Sequence, residues 1–139
     1  MQNPDQVYTV EEYWRMVETF PNHAYEYVDG HIRLMTGGSP AHSQIIANLS
    51  HLVVAALWNK ECHVYNSDVT VQLSKSRYYH PDLTVSCDPH DWTQTKALAS
   101  PTFIVEVHSA FQNVVKRVYH HPNCYTWVGQ EASTTSTLF

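Results

Sequence analysis

Pro101-Thr102-Phe103-Ile104-Val105-Glu106-Val107 contains an apolar run of strand length broken by one carboxylate. A run so rich in β-branched and aromatic residues suits a strand covered on both sides, as in the buried centre of a sheet. Alternation puts Phe103, Val105 and Val107 on one face and Ile104 and Glu106 on the other. Upstream, Ile45, Leu49, Leu52, Val53, Ala56 and Leu57 recur at helical spacing instead. Ser39-Pro40 supplies an N-cap and a first-turn proline, which predicts a helix over about residues 40–60. A long helix followed by a buried strand gives an α/β (α+β) domain.

The flanking segments extend this reading. His63 to Tyr65, Val69 to Leu73, and Leu83 to Ser86 suit short strands, the last entered through Pro81-Asp82. Asp88 to Ser100 is rich in turn formers and reads as loop or short helix. Nearer the start, Thr9-Val10-Glu11-Glu12 is a capping box for a helix whose apolar face is Tyr13, Trp14, Met16, Val17 and Phe20, ended by Pro21. Tyr25 to Val28 and His31 to Thr36 flank Asp29-Gly30, a strong type I′ hairpin signal. After His108, Ala110 to Tyr119 suits a short helix stopped by Pro122, and Ser133 to Thr137 reads as a tail.

The 139 residues make one domain, with 43% hydrophobic and 15% charged residues, a balance that excludes wholesale disorder. No apolar run approaches the ~20 residues of a membrane span. Met1 to Val10 lacks the pattern of a secretory signal, so a cytoplasmic location is expected. Three cysteines, Cys62, Cys87 and Cys124, do not form a disulfide framework, and reduced thiols are expected. The formal charge of −5 argues against a broad nucleic-acid grip. It is unevenly spread, however: residues 1–30 hold six acidic side chains against Arg15 alone, whereas Lys75, Arg77, Lys96, Lys116 and Arg117 lie around the later strands.

Two carboxylates stand where a core-seeking sequence does not place them. Asp82 opens a strand directly after Pro81, and Glu106 sits between Val105 and Val107. A buried carboxylate needs a partner, a proton or a metal. If their strands are neighbours, both converge on one point, where hard oxygen donors suit Mg²⁺. The plainer reading makes Asp82 a turn cap and points Glu106 to solvent.

Five blocks occur in order: Tyr8-Thr9-Val10-Glu11-Glu12-Tyr13; Tyr25-Glu26-Tyr27-Val28-Asp29-Gly30; Gly38-Ser39-Pro40-Ala41-His42-Ser43; Ser67-Asp68-Val69 leading to Tyr79-His80-Pro81-Asp82-Leu83-Thr84-Val85; and Pro101 to Val107. Together, over about residues 8–107, they closely resemble a bacterial restriction-endonuclease family, formerly a domain of unknown function, in the PD-(D/E)xK nuclease superfamily. The resemblance implies a restriction-endonuclease-like central mixed sheet flanked by helices. It implies hydrolysis of DNA phosphodiester bonds, with Asp82 and Glu106 ligating Mg²⁺ or Mn²⁺, and often a homodimer. Glu26 matches a family acidic position near such a site, and His42 a family histidine.

The superfamily commonly completes its motif with a lysine two residues past the second carboxylate, where this chain has His108. Lys116 or Arg117 is the candidate substitute. The resemblance fades at about residue 108, as a truncated or frameshifted gene would give, so residues 108–139 read as divergent. Two alternatives stand beside the nuclease. One is a binding module that keeps the fold without its chemistry. The other is a small zinc-stabilised domain using Cys87, His90, His121 and Cys124, two pairs with zinc-like spacing.

Overall fold

The computed structural model describes residues 5–108 and, for its backbone, the strand at 125–130. Helix α1, Val10–Thr19, starts as its capping box predicts: Glu12 N donates to Thr9 Oγ1 (3.1 Å), and Thr9 N donates to Glu12 Oε2 (2.7 Å). Its one fully buried residue, Tyr13, packs with Trp14, Tyr27 and Tyr78. The rings meet at centroid distances of 5.0 to 6.2 Å, where an aromatic pair adds about 1 kcal/mol beyond the area it buries. Burial pushes the Tyr13 phenol well up from its ordinary range, and its hydroxyl donates to Tyr25 O at 2.8 Å.

Strands β1 (Tyr25–Val28) and β2 (His31–Leu34) form the expected hairpin, with both turn residues at positive φ, Asp29 at 49° and Gly30 at 95°. That pair of angles is what a type I′ turn requires. Arg77 and Ser76 hold the Asp29 carboxylate from outside. Helix α2, Pro40–Ala56, begins at the Ser39 cap and stops a turn short of residue 60.

Seven more strands follow: β3 (His63–Asn66), β4 (Thr70–Ser74), β5 (Arg77–Tyr79), β6 (Leu83–Ser86), β7 (Ala97–Leu98), β8 (Phe103–His108) and β9 (Tyr125–Gln130). The nine described strands fall into two mixed sheets, ordered β2-β1-β5-β4-β7 and β3-β6-β8-β9. The α+β class is as expected, with the strands divided between two sheets. All described pairs are antiparallel except β4 with β7 and β8 with β9.

Strand β8 is covered on both faces, as its composition predicts. On one, Val105 and Val107 join Leu83, Val85 and Leu49 of α2. On the other, Ile104 packs with Val71, Leu73, Tyr79 and Leu98 of the five-stranded sheet. Nothing in this arrangement gives Glu106 a solvent-facing side, and it is 6% exposed. The plainer reading of Glu106 as a solvent-facing residue is therefore corrected.

The cysteines are also corrected. His63 pairs with Ser86 across β3 and β6, so one step outward sets Cys62 opposite Cys87. Their Cα atoms lie 4.0 Å apart, and the two are joined as a disulfide. Cys87 is thus not available to the proposed zinc set. His90 is exposed, and His121 and Cys124 lie outside the described residues, as does the helix expected at Ala110 to Tyr119. Among the described residues no helix is long and apolar enough to cross a membrane.

Candidate active site

Pro81 ends the link from β5, and Asp82 immediately precedes β6. Leu83 pairs with Val105, so continuing the register by one residue brings Asp82 opposite Glu106. The two carboxylates singled out in the sequence therefore stand at facing positions of neighbouring strands. Asp82 extends the β6–β8 ladder with its side chain: Val107 N donates to Oδ2 at 2.8 Å. The same oxygen lies 3.2 Å from His42 Nε2, and that nitrogen lies 3.0 Å from Val107 O. His42 is one turn into α2, its backbone N–H held by the Ser39 hydroxyl at 3.1 Å. The structure thus brings His42, Asp82 and β8 together, although they are far apart in sequence.

Glu26 reaches the segment just upstream of Asp82. It is fully buried on β1, accepting from His80 N at Oε1 (3.2 Å) and from Arg33 Nη2 at Oε2 (3.3 Å). Its carboxylate fixes the peptide that leads through Pro81 into Asp82. His80 is itself locked: Nδ1 lies 2.8 Å from Ser67 O and Nε2 lies 3.1 Å from the Thr70 hydroxyl. A carbonyl only accepts, so Nδ1 carries the proton and Nε2 accepts from Thr70.

Arg33 and His80 are the site residues that the sequence reading passed over. For Arg33 a signal existed. A two-residue turn at Asp29-Gly30 fixes the hairpin register, and that register sets Arg33 opposite Glu26. His80 gave no such signal, since its partners lie on β4 and in the turn before it.

His108 is the last residue of β8, with its side chain outside the description, and Lys116 and Arg117 lie outside the described residues altogether. Two basic residues are engaged elsewhere: Arg77 with Asp29 at 2.9 Å, and Lys96 with Glu18 at 3.4 Å.

A family model described as "Putative restriction endonuclease", Uma2, matches residues 10–120. The chain belongs to the Uma2 family. Two curated relatives, both uncharacterised Synechocystis proteins, are 40% identical over 84 residues and 27% identical over 85. These matches cover 60% and 59% of this chain but 44% and 48% of the relatives, so the chain spans about half the length of the curated relatives it matches. The fold is that of a crystal structure described as a "putative nuclease" from Anabaena variabilis, at TM-score 0.59 and 18% identity over 76% of this chain and 60% of that one. The Uma2 match spans both candidate carboxylates, Glu26 and His42.

Asp82 and Glu106 have the donor chemistry for a hard divalent cation. Among the described residues no group of three or more His, Cys, Asp or Glu is gathered closely enough to hold a metal. Two carboxylates still suit Mg²⁺, which commonly keeps several waters and binds one or two carboxylates plus substrate phosphate. Asp82 fits that role in a specific way: both of its protein donors fall on Oδ2, and Oδ1 has no hydrogen-bond partner among the described residues.

Proposed function

We propose that this chain is the nuclease domain of a Mg²⁺-dependent DNA endonuclease, with Asp82 and Glu106 as the metal-binding carboxylates. The pairing of Asp82 with Glu106 across β6 and β8 carries the reading. Glu106 is 6% exposed, and two carboxylates facing each other across neighbouring strands repel. A shared cation turns the repulsion into attraction. When bound, the metal supplies Lewis-acid activation of a phosphate oxygen and of water.

The protein's part is placement. Val107 N–H and His42 hold Asp82, and Glu26 holds the peptide preceding it. His108 occupies the place where the superfamily commonly carries lysine, and it or Lys116 would supply positive charge near the phosphate. A homodimer would present two such sites to the two DNA strands. His108 also favours a second reading, in which the fold binds nucleic acid without cutting it.

Cleavage of supercoiled plasmid and single-stranded DNA with Mg²⁺ or Mn²⁺ separates the two. Wild type should nick, and Asp82→Ala and Glu106→Ala should not. Folded wild type that binds DNA but leaves it intact would overturn the catalytic reading and leave the binding one.

A further inference from the structure

We infer that His42 is a positioning residue that ties Asp82 by one oxygen and so presents the other to the metal. This inference rests on the nuclease reading. His42 Nε2 faces two acceptors, Asp82 Oδ2 at 3.2 Å and Val107 O at 3.0 Å. Neither can donate, so Nε2 carries a hydrogen and shares it between them. Val107 N donates to the same Oδ2 at 2.8 Å. Two donors on one oxygen fix the rotation of the carboxylate about its side chain. That leaves Oδ1 as the oxygen for a cation, already oriented before the cation arrives.

The imidazole is held as deliberately as the carboxylate. Its backbone N–H is anchored by Ser39 at the head of α2. Gly38 leaves the space in which the ring lies: a Cβ there would stand 2.6 Å from His42 Nδ1 and 2.9 Å from its Cγ. Any side chain at residue 38 must therefore move the ring. A histidine serving only to cap or pack α2 needs neither this clearance nor an Nε2 aimed at the oxygen that β8 also holds. The ring joins α2, the start of β6 and the end of β8 at one atom, so the orientation of Asp82 is set by three elements at once.

The test is Mn²⁺ affinity, followed by the paramagnetic signal of the free ion, in wild type, His42→Ala, His42→Gln, Gly38→Ala and Asp82→Ala. Metal-free thermal melting is measured alongside. Loss of a group that orients a metal ligand typically costs about 10–100-fold in affinity, and His42→Ala should show a loss in that range. His42→Gln, whose amide can donate to the same oxygen, should recover most of it at a melting temperature similar to that of His42→Ala. Gly38→Ala keeps the imidazole but displaces it, and should weaken Mn²⁺ in the same direction, which preserves the test if His42→Ala misfolds.

Wild-type affinity in folded His42→Ala or Gly38→Ala would overturn the inference. So would a loss that glutamine does not restore. Equal Mn²⁺ binding by wild type and Asp82→Ala would instead overturn the nuclease reading, and the inference with it.

Discussion

Strand β6 joins two carboxylate sites of opposite kinds. At its far end the Ser86 hydroxyl donates to Asp91 Oδ2 at 2.7 Å, and Asp91 also accepts from Ala99 N at 2.8 Å and Ser100 N at 3.0 Å. Both Asp91 oxygens are occupied, and the residue is 1% exposed. At the near end Asp82 uses one oxygen only among the described residues, and its side chain is 17% exposed. A carboxylate with every lone pair directed at the protein is a tie for loops. One with an oxygen in reserve, opposite a second buried carboxylate, suits the metal-binding role proposed for it. Burial alone does not distinguish them; the distribution of donors does.

The sharpest way to break this contrast is to remove each carboxylate and compare stabilities. Asp91→Ala strands several buried donors and should cost about 3–4 kcal/mol in urea unfolding. Asp82→Ala should cost about 1–2 kcal/mol, chiefly for the Val107 N–H. Equal losses at the two ends would mean that Asp82 is structural as well.

Between the two ends lies Thr84, 1% exposed, whose hydroxyl has no hydrogen-bond partner among the described residues. Thr84→Val removes that unsatisfied group at nearly constant volume and should stabilise by about 1 kcal/mol. A clear loss of stability would show that the hydroxyl is engaged after all.

The smallest effect concerns a third carboxylate, exposed and far from both. Arg77, then the Ser76 hydroxyl, hold the Asp29 carboxyl below the usual carboxylate range. A carboxyl whose pKa is lowered on folding stabilises the fold above its unfolded pKa, and that contribution is lost as the pH falls through the folded value. Asp29→Asn, which keeps a residue tolerant of positive φ, should therefore melt slightly lower than wild type at neutral pH, the effect being small for an exposed pair. The difference should close as the pH drops below the carboxylate range. A gap that persists in acid would locate the effect in the turn backbone and not in the ion pair.

What the sequence disclosed follows the range of the forces involved. The capping box at Thr9 and Glu12, the Asp29-Gly30 turn and the Ser39-Pro40 helix start are settled by residues within a few positions, and all three formed as expected. Strand β5 was missed because three residues between β1 and β4 are strand only through those neighbours. The two residues of β7 depend likewise on β4. Strand β9, at Tyr125–Gln130, lies beyond the segment where the motifs faded, and its partner is 22 positions earlier in the register.

The disulfide escaped for the same reason, since nothing near Cys62 announces a partner 25 residues away. In the candidate site, Asp82 and Glu106 stood out as candidates because a charge in an apolar setting is conspicuous in one dimension. His42 was marked only by family resemblance, and its contact with Asp82 spans 40 positions. Such a contact exists only once α2 has packed on the sheet.

The crosslink between Cys62 and Cys87 has a consequence for how this sheet can come apart. Strand β3 is the outer strand of its sheet as described, and an outer strand ordinarily peels from either end. Here the bond sits one residue before its first rung, at His63 and Ser86. Peeling must therefore begin from the other end, where Asn66 faces Leu83, one residue from Asp82. The stapled end is the one nearer the Asp91 tie, so the freedom left to the strand lies beside Asp82, the carboxylate proposed to bind the metal.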